Sequence, residues 1–177
     1  METQGKTVII LIFSVAIAAT VFAWGFRKHQ SQRLLELWGG EVASRIRVAK
    51  TVCFLELGKD DSLDETVSIG ELNFGVKSRI ETTNQPGMIN AQAAIISDAS
   101  YDWQRELGQP EWSTAFEFRD SNEKRTIIAF DLLGKAAICV EKNHPIGIGP
   151  KLADGLEKFI SEIRSETDQE NTDESDD

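Results

Sequence analysis

An uninterrupted apolar run near the N-terminus constrains this chain more than any other feature. Residues 7–26, TVIILIFSVAIAATVFAWGF, contain no charged side chain, and Lys6 and Arg27 close the run at its two ends. Twenty helical residues at about 1.5 Å each span roughly 30 Å, the thickness of a bilayer's hydrocarbon core. Trp24 stands where an interfacial aromatic residue is expected. The run predicts a single-pass transmembrane helix in contact with membrane lipid, preceded by a short flank at residues 1–6.

An uncleaved signal-anchor is the preferred interpretation of this run, with a cleaved signal peptide as the alternative. The AIA at Ala16–Ala18 offers a cleavage site, but cutting there would leave an apolar stretch at the mature end. The positive charges before the run are Lys6 and the α-amine, whereas Arg27, Lys28 and Arg33 follow it closely. The positive-inside rule therefore favours the cytoplasm for the soluble domain, and the exported side stays open because the charge difference is small.

The net charge of −10 is spread unevenly along the chain. Residues 1–50 carry +4, residues 51–164 carry −7 and residues 165–177 carry −7. A negative domain repels polyphosphate, and no basic run is interleaved with aromatic residues, so we expect no nucleic-acid partner. The last segment has no apolar residue, which predicts a disordered acidic tail.

The residues after the apolar run are typical of a juxtamembrane helix or linker over 27–43. Leu34, Leu37 and Trp38 fall at helical spacing, and they would extend the anchor helix as an amphipathic stalk. Gly39–Gly40 would end that helix. A globular domain is then expected over residues 44–164.

The first half of this domain mixes short strands with one helix. The later part of Ser44–Leu57 is rich in β-branched and aromatic residues and predicts a strand, and one or two short strands follow between Val67 and Phe74. A helix is predicted over residues 86–98. Pro86 would lie in its first turn, with Asn84 or Gln85 as the cap.

Three consecutive segments, WSTAFEFRD, RTIIAFDLL and AAICVEK, predict an antiparallel β-meander because each alternates between apolar and other residues. The short segments between them suit hairpin connections. One face of the sheet should be apolar and carry Phe116, Phe118, Ile128, Phe130, Leu132, Ile138 and Val140. The opposite face should be solvent-facing and carry Glu117, Ala129, Asp131, Ala137, Cys139 and Glu141.

A last helix is predicted from Pro150 to about Arg164. Its apolar residues recur on one side and should cover the apolar face of the meander; they are Leu152, Leu156, Phe159, Ile160 and Ile163. The predicted fold class is therefore α+β: an N-terminal transmembrane helix, then a small domain in which helices cover an antiparallel meander.

The stretch HPIGIGPKLADGL, residues 144–156, superficially resembles a phosphate-binding loop. Gly147 and Gly149 supply two glycines of a dinucleotide fingerprint, but Leu152 stands in the third position and no Gly-Lys-Ser/Thr follows. Pro150 also removes a backbone N–H where an anion would need one. We therefore interpret the stretch as a hinge loop with Pro150 at the start of a helix; anion binding there is the alternative.

The expected acidic face carries the only constellation with catalytic geometry. In the predicted register Glu117 and Glu141 flank Ile127, which places their Cα atoms roughly 10 Å apart. Carboxyl groups at comparable separation serve in inverting glycosidases. Because such spacings are common on solvated sheets, a solvent-facing surface is the preferred interpretation, and a hydrolase is the alternative.

The remaining candidate residues point to no cofactor or metal. His144 is the one histidine of the domain, and we expect the strand direction to carry Cys139 and Glu141 away from it. Cys53 and Cys139 lie in apolar strand-like runs, which predicts buried free thiols; a disulfide is the alternative if the domain is exported.

Tyr101, Trp103 and Trp112 cluster in an irregular segment. Packing into the core is the preferred interpretation because aromatic residues are usually buried. If they are exposed, these three would form a recognition surface for a peptide or sugar.

The sequence favours a single-pass, membrane-anchored, non-catalytic binding or scaffolding domain whose protein partner it does not name. A membrane-anchored hydrolase is the second hypothesis. The third rests on architecture over residues 1–142, where an apolar N-terminal helix, a stalk and a meander resemble a pilin-type subunit. Pilin-like proteins have a cleavage-site glycine and a Glu at the fifth helical position. Here Lys6 follows Gly5, and Ile10 stands where that Glu would be.

Overall fold

The computed structural model of the chain describes residues 14, 15, 17, 20, 32–59 and 63–173. The chain divides into two units, residues 1–32 and residues 33–177. In the first unit, the four described residues within the predicted anchor are all α-helical. The remainder of that predicted anchor and the flank before it lie outside the described residues. No helix in the part of the chain that the structure describes is long and apolar enough to span a membrane.

From Gln32 onward, helices and strands follow one another in a mixed order that confirms the α+β class. Two helices come first, α1 (Gln32–Trp38) and α2 (Gly40–Arg47). The later elements are β1 (Thr51–Gly58), β2 (Thr66–Ile69), β3 (Leu72–Glu81), α3 (Met88–Ile95), a 3-10 turn (Asp98–Ser100), β4 (Tyr101–Asp102), β5 (Thr114–Arg119), β6 (Arg125–Asp131), β7 (Ala136–Cys139), β8 (His144–Ile148) and α4 (Pro150–Asp173). The strands form an antiparallel sheet in the order β2-β3-β1-β5-β6-β7-β8-β4.

Helix α1 belongs to the core, so the prediction of an amphipathic stalk is wrong. Leu34 and Trp38 are each 1% exposed and pack in the main hydrophobic cluster. The carboxylate of Asp98 accepts hydrogen bonds from the backbone N–H groups of Arg33 and Leu34, at 3.0 and 2.9 Å. This cap satisfies two N–H groups of the first turn and starts the helix there. Gly39, at φ 91°, separates α1 from α2.

Both faces of the sheet are buried, whereas the sequence predicted one. The helix-side cluster packs sheet residues such as Phe54, Phe116 and Phe130 against all four helices. The hairpin-side cluster lies on the opposite face and joins apolar residues of β2 and β3 to the centre of the sheet; it contains Cys53, Leu55, Leu57, Val67, Ile69, Phe74, Trp112, Ala115, Ile127, Ala129, Ala136 and Ile138. The β2–β3 hairpin can cover that face because its turn reaches the β7–β8 turn: a Cβ on Gly70 would lie 3.4 Å from Asn143 Oδ1.

The predicted meander is confirmed as β5, β6 and β7, but its third strand is one residue out of the predicted register. Ile128 pairs with Cys139 and Ala129 pairs with Ile138. Ala137 and Cys139 therefore face the helices, while Ile138 and the partly buried Val140 face the hairpin. A one-residue slip moves every side chain to the other face. Alternation could not detect this slip, because both faces are apolar.

The HPIGIG stretch is a strand rather than the hinge loop that the sequence predicted. β8 pairs with β7 on one side and with the short strand β4 on the other. Gly147 lies within β8 and has no left-handed φ; a Cβ there would come within 2.9 Å of the Asp102 carbonyl oxygen. Gly149 donates its N–H to the Ser100 carbonyl at 2.7 Å. Pro150 begins α4, as predicted.

Two helix boundaries also differ from the sequence expectations. α3 is shorter than residues 86–98, and its N-cap is Gly87, at φ 93°, rather than Asn84 or Gln85; Pro86 lies in the turn before it. α4 continues through Asp173, so residues 165–173 are helical rather than a disordered tail. No Gly or Pro follows Arg164, and Glu and Gln are good helix formers, so no residue in this segment ends the helix. Residues 174–177 lie outside the described part.

Candidate functional site

Two of the three carboxylates on the predicted acidic sheet face, Glu117 and Asp131, are buried rather than solvent-facing, and only Glu141 is exposed. Glu117 is 1% exposed, at the margin of the hairpin-side cluster. Its carboxylate accepts hydrogen bonds from Arg79 Nη1 at 3.1 Å and Arg119 Nε at 2.5 Å. Arg79 also binds Glu65. Glu117 is therefore held in a charged network around a buried carboxylate, instead of facing a water-filled cleft.

Electrostatics keep Glu117 ionised. Burial acts to raise its pKa, but hydrogen bonds and charge from Arg79 and Arg119 outweigh burial and lower the pKa below the usual Glu value of 4.5. Hydrogen bonds to Glu65 and then to Glu117 raise the pKa of Arg79, and the hydrogen bond to Glu117 raises the pKa of Arg119. A general acid requires a carboxyl group that keeps its proton near neutral pH, so this environment is the opposite of the one that a general-acid role for Glu117 would need.

The other two carboxylates of the predicted face have structural partners. Asp131 accepts the backbone N–H of Glu111 at 2.9 Å and that of Gly134 at 2.7 Å, which fixes the β6–β7 turn. Glu141 accepts the backbone N–H of Ile127 at 3.1 Å. Because of the register shift, Val140 rather than Glu141 lies opposite Ile127. The predicted pairing of Glu117 and Glu141 across Ile127 is therefore wrong.

His144 and Cys139 are closer than the sequence suggested, because the β7–β8 hairpin pairs them directly. The expectation that the strand carries Cys139 and Glu141 away from His144 is wrong for Cys139. The geometry nevertheless does not suit nucleophilic catalysis. His144 is exposed whereas Cys139 is fully buried. Burial and the nearby Glu141 raise the pKa of the Cys139 thiol to about 12, so its reactive thiolate is scarce.

Both cysteines are free and buried, as expected, and they lie in different clusters. Within the described residues, no group of three or more His, Cys, Asp or Glu side chains is arranged to hold a metal ion.

The three aromatic residues do not form one exposed platform. Tyr101 is 6% exposed in the helix-side cluster, and its hydroxyl donates to the Ile95 carbonyl at 2.5 Å. Trp103 is half-buried, packs against the same cluster and donates its indole N–H to the Asp98 carbonyl at 3.0 Å. Trp112 is buried in the hairpin-side cluster, on the opposite face of the sheet. All three side chains therefore contribute to packing.

A groove between α3 and α4 is the strongest candidate for a binding site. It encloses a volume of about 290 Å³, and its surface is mostly apolar. Its floor consists of buried or half-buried side chains, Ala91 and Ala94 from α3 and Leu152, Leu156 and Phe159 from α4. The α4 residues were predicted as the apolar stripe of the last helix. Helical spacing alone did not indicate that one edge of that stripe would remain open.

Small residues keep the groove open on both walls. On the α3 side, a Cβ on Gly87 would lie 3.6 Å from the Phe159 ring, in ordinary contact. On the α4 side, a Cβ on Gly155 would meet no atom within 4 Å. The remaining wall residues are Pro86 and Asn90 on one side and Lys151, Lys158 and Glu162 on the other. This arrangement suits a rod-like apolar occupant with polar flanks.

A polar recess elsewhere is weaker as a candidate because two of its charged side chains, Arg45 and Asp120, are paired with each other. It lies between α2 and the β5–β6 turn. Arg45 on its wall donates to Thr126 Oγ1 at 2.5 Å and contacts Asp120 at 3.4 Å.

Comparison of the chain with protein-family models, with curated proteins and with solved structures finds no match.

Proposed function

We propose that this chain is a membrane-anchored, non-catalytic binding domain that docks a helix of a partner protein in the α3–α4 groove. The observation that carries the proposal is that Gly155 lies inside helix α4 with open space where its Cβ would be. Glycine inside a helix costs about 1 kcal/mol of stability relative to alanine. Gly155 lies well inside α4, has no left-handed φ, and no atom stands where its Cβ would be. The described packing therefore gives no internal reason for glycine.

An external backbone that approaches α4 closely would supply that reason. Recognition of a helix in a groove uses an apolar floor between two walls, and small residues let two backbones come together. The α3–α4 groove offers both features. Of its lining residues, only Asn90, Lys151, Lys158 and Glu162 have polar side chains.

The apolar run over residues 7–26 supports the membrane anchor, and the basic residues that follow it favour the cytoplasmic side. The carboxylate contacts weigh against the hydrolase alternative: Glu117, Asp131 and Glu141 each have structural partners. No specific observation favours the pilin-like alternative.

Site-specific photo-crosslinking tests the groove. A benzophenone amino acid placed at Asn90 in the full-length protein should crosslink a partner in cells that naturally produce it. Gly155→Leu should abolish that crosslink, because leucine fills the groove and is a good helix former. Gly40→Leu is the matched control, since a Cβ at this helical glycine also meets nothing within 4 Å.

The proposal requires the Gly40→Leu protein to crosslink as the parent does while the Gly155→Leu protein does not. Equal melting temperatures for the two variants would exclude unfolding as the cause. Crosslinking that survives Gly155→Leu would contradict the proposal.

A further inference from the structure

We infer that the partner helix carries two carboxylates seven residues apart, with a small residue between them, and that these carboxylates pair with Lys151 and Lys158. This inference rests on the proposed function and specifies the chemistry of the occupant. It follows from the order in which α4 presents the charged residues and the glycine that line the groove: Lys151, Gly155, Lys158 and Glu162.

The charge of the groove comes from α4 alone. α3 contains no ionisable side chain. Lys151 is exposed in the first turn of α4, where the helix dipole adds to its positive charge. Among the described residues, Lys151 has no ion-pair partner. Within the part of the chain that the structure describes, the one ion pair of Lys158 is a loose contact with Glu162 at 3.8 Å, and both side chains are more than half exposed. The two lysines are therefore available to a ligand.

The spacing of the lysines defines the spacing in the partner. Lys151 and Lys158 are two helical turns apart on the same side of α4, or about 10.5 Å along the axis. A partner helix lying along the groove matches them with acidic residues at positions i and i+7. Gly155 lies between the lysines, so a small partner residue between the two acids lets the backbones approach. One turn beyond Lys158, Glu162 disfavours a third acid.

Negative net charge does not cancel this preference. The chain carries −10 overall, which repels an acidic segment at long range. At physiological ionic strength the Debye length is about 8 Å, so groups in direct contact decide the interaction. The two lysines attract carboxylates at contact distance, whereas the repulsion from the rest of the chain is screened.

A display selection tests the inference even though the partner is unidentified. The probe is a library of helical peptides with a fixed alanine and leucine stripe, in which one central stripe position and the flanking positions are randomised. Selection uses the full-length protein in nanodiscs, with counter-selection against Gly155→Leu. Enriched peptides are then measured by fluorescence anisotropy against Lys151→Glu/Lys158→Glu and against Lys50→Glu/Lys142→Glu. The second pair is a matched charge control at exposed lysines that do not line the groove.

We expect the enriched peptides to carry two acidic residues seven apart around a small residue. We expect about tenfold weaker binding to the groove double variant and unchanged binding to the control. Peptides that require Gly155 but show no acidic pair would overturn this inference and leave the proposed function standing. The proposed function fails as well if no peptide binds the parent protein more tightly than it binds Gly155→Leu. It also fails if only the anionic lipid of the nanodisc shows such a difference in binding.

Discussion

At the residue scale, Glu117 is a charged residue whose contacts support the sheet. Its carboxylate is buried and binds two arginines from different strands, Arg79 of β3 and Arg119 of β5. A buried charge is tolerated only when it is paired. The network therefore joins β3 to β5 across β1, which lies between them in the sheet.

Replacing this carboxylate should destabilise the domain. Glu117→Gln keeps the size of the side chain but leaves Arg79 and Arg119 without their shared counter-ion. Breaking a buried ion pair costs about 3 to 5 kcal/mol, and we expect about 2 kcal/mol here because both arginines are partly exposed. Urea unfolding at neutral pH measures the loss. Arg125→Gln is the control, since Arg125 is 62% exposed and 3.9 Å from Glu117, and it should change the free energy of unfolding little.

The difference in stability between the parent protein and Glu117→Gln should depend on pH in a defined way. The pKa of Glu117 is lower in the folded state than its usual value of 4.5. Its stabilising effect is therefore fully present above the unfolded-state pKa and is lost as pH falls through the folded-state pKa. The difference in unfolding free energy between the parent and Glu117→Gln should stay constant near pH 7 and shrink below about pH 4. A difference that grows on acidification would contradict this assignment.

At the scale of elements, the sequence predicted what depends on local pattern. It located the meander and the apolar stripe of α4, because alternation and helical spacing can be recognised from residues that are close together in the sequence. It missed the register of β7, because Ala137, Ile138 and Cys139 are all apolar and both faces of the sheet are buried. It also missed the partners of Glu117 and the groove. Arg79 is 38 residues from Glu117, and the walls of the groove come from helices far apart in the chain.

Strand β8 carries a prediction of its own, because its glycine is required by close packing rather than by a turn. A Cβ at Gly147 would lie 2.7 Å from Arg105 Cβ and 2.9 Å from the carbonyl oxygen of Asp102, closer than real contacts allow. Gly147→Val should therefore separate β8 from β4 and lower the free energy of unfolding by about 1 to 3 kcal/mol. Thermal unfolding measures this.

The matched control for that change is Gly108→Val, because a Cβ at Gly108 meets nothing within 4 Å. Hydrogen exchange should locate the damage at Tyr101 and Ile148, which are paired across the two strands. A Gly147→Val protein as stable as the parent, with unchanged exchange at these residues, would show that the two strands are not in close contact.

At the scale of the whole molecule, the proposed membrane anchor would determine from which side of the bilayer a partner can reach the groove. If residues 7–26 anchor the chain, the partner helix must lie on the same side of the bilayer as the domain. The charge bias around the segment favours the cytoplasm. The native cysteines cannot report this in the folded protein, because Cys53 and Cys139 are only 8% and 0% exposed.

A new cysteine at Leu133 can report the side of the membrane, because this residue is 96% exposed. A membrane-impermeant maleimide should label Leu133→Cys only after the cells are permeabilised, whereas the parent protein should label only after denaturation. Labelling of Leu133→Cys in intact cells would place the domain outside and reverse the proposed orientation.

The anchor itself is tested separately by alkaline carbonate extraction. The parent should stay in the membrane pellet, because an apolar helix of this length is stable in the bilayer's hydrocarbon core. The double variant Ile17→Arg/Ala19→Arg should be released, because arginine near the centre of a membrane helix costs about 2.5 to 3.5 kcal/mol per residue. A parent protein that carbonate releases would refute the anchor while leaving the groove and its partner helix to be judged on their own experiments.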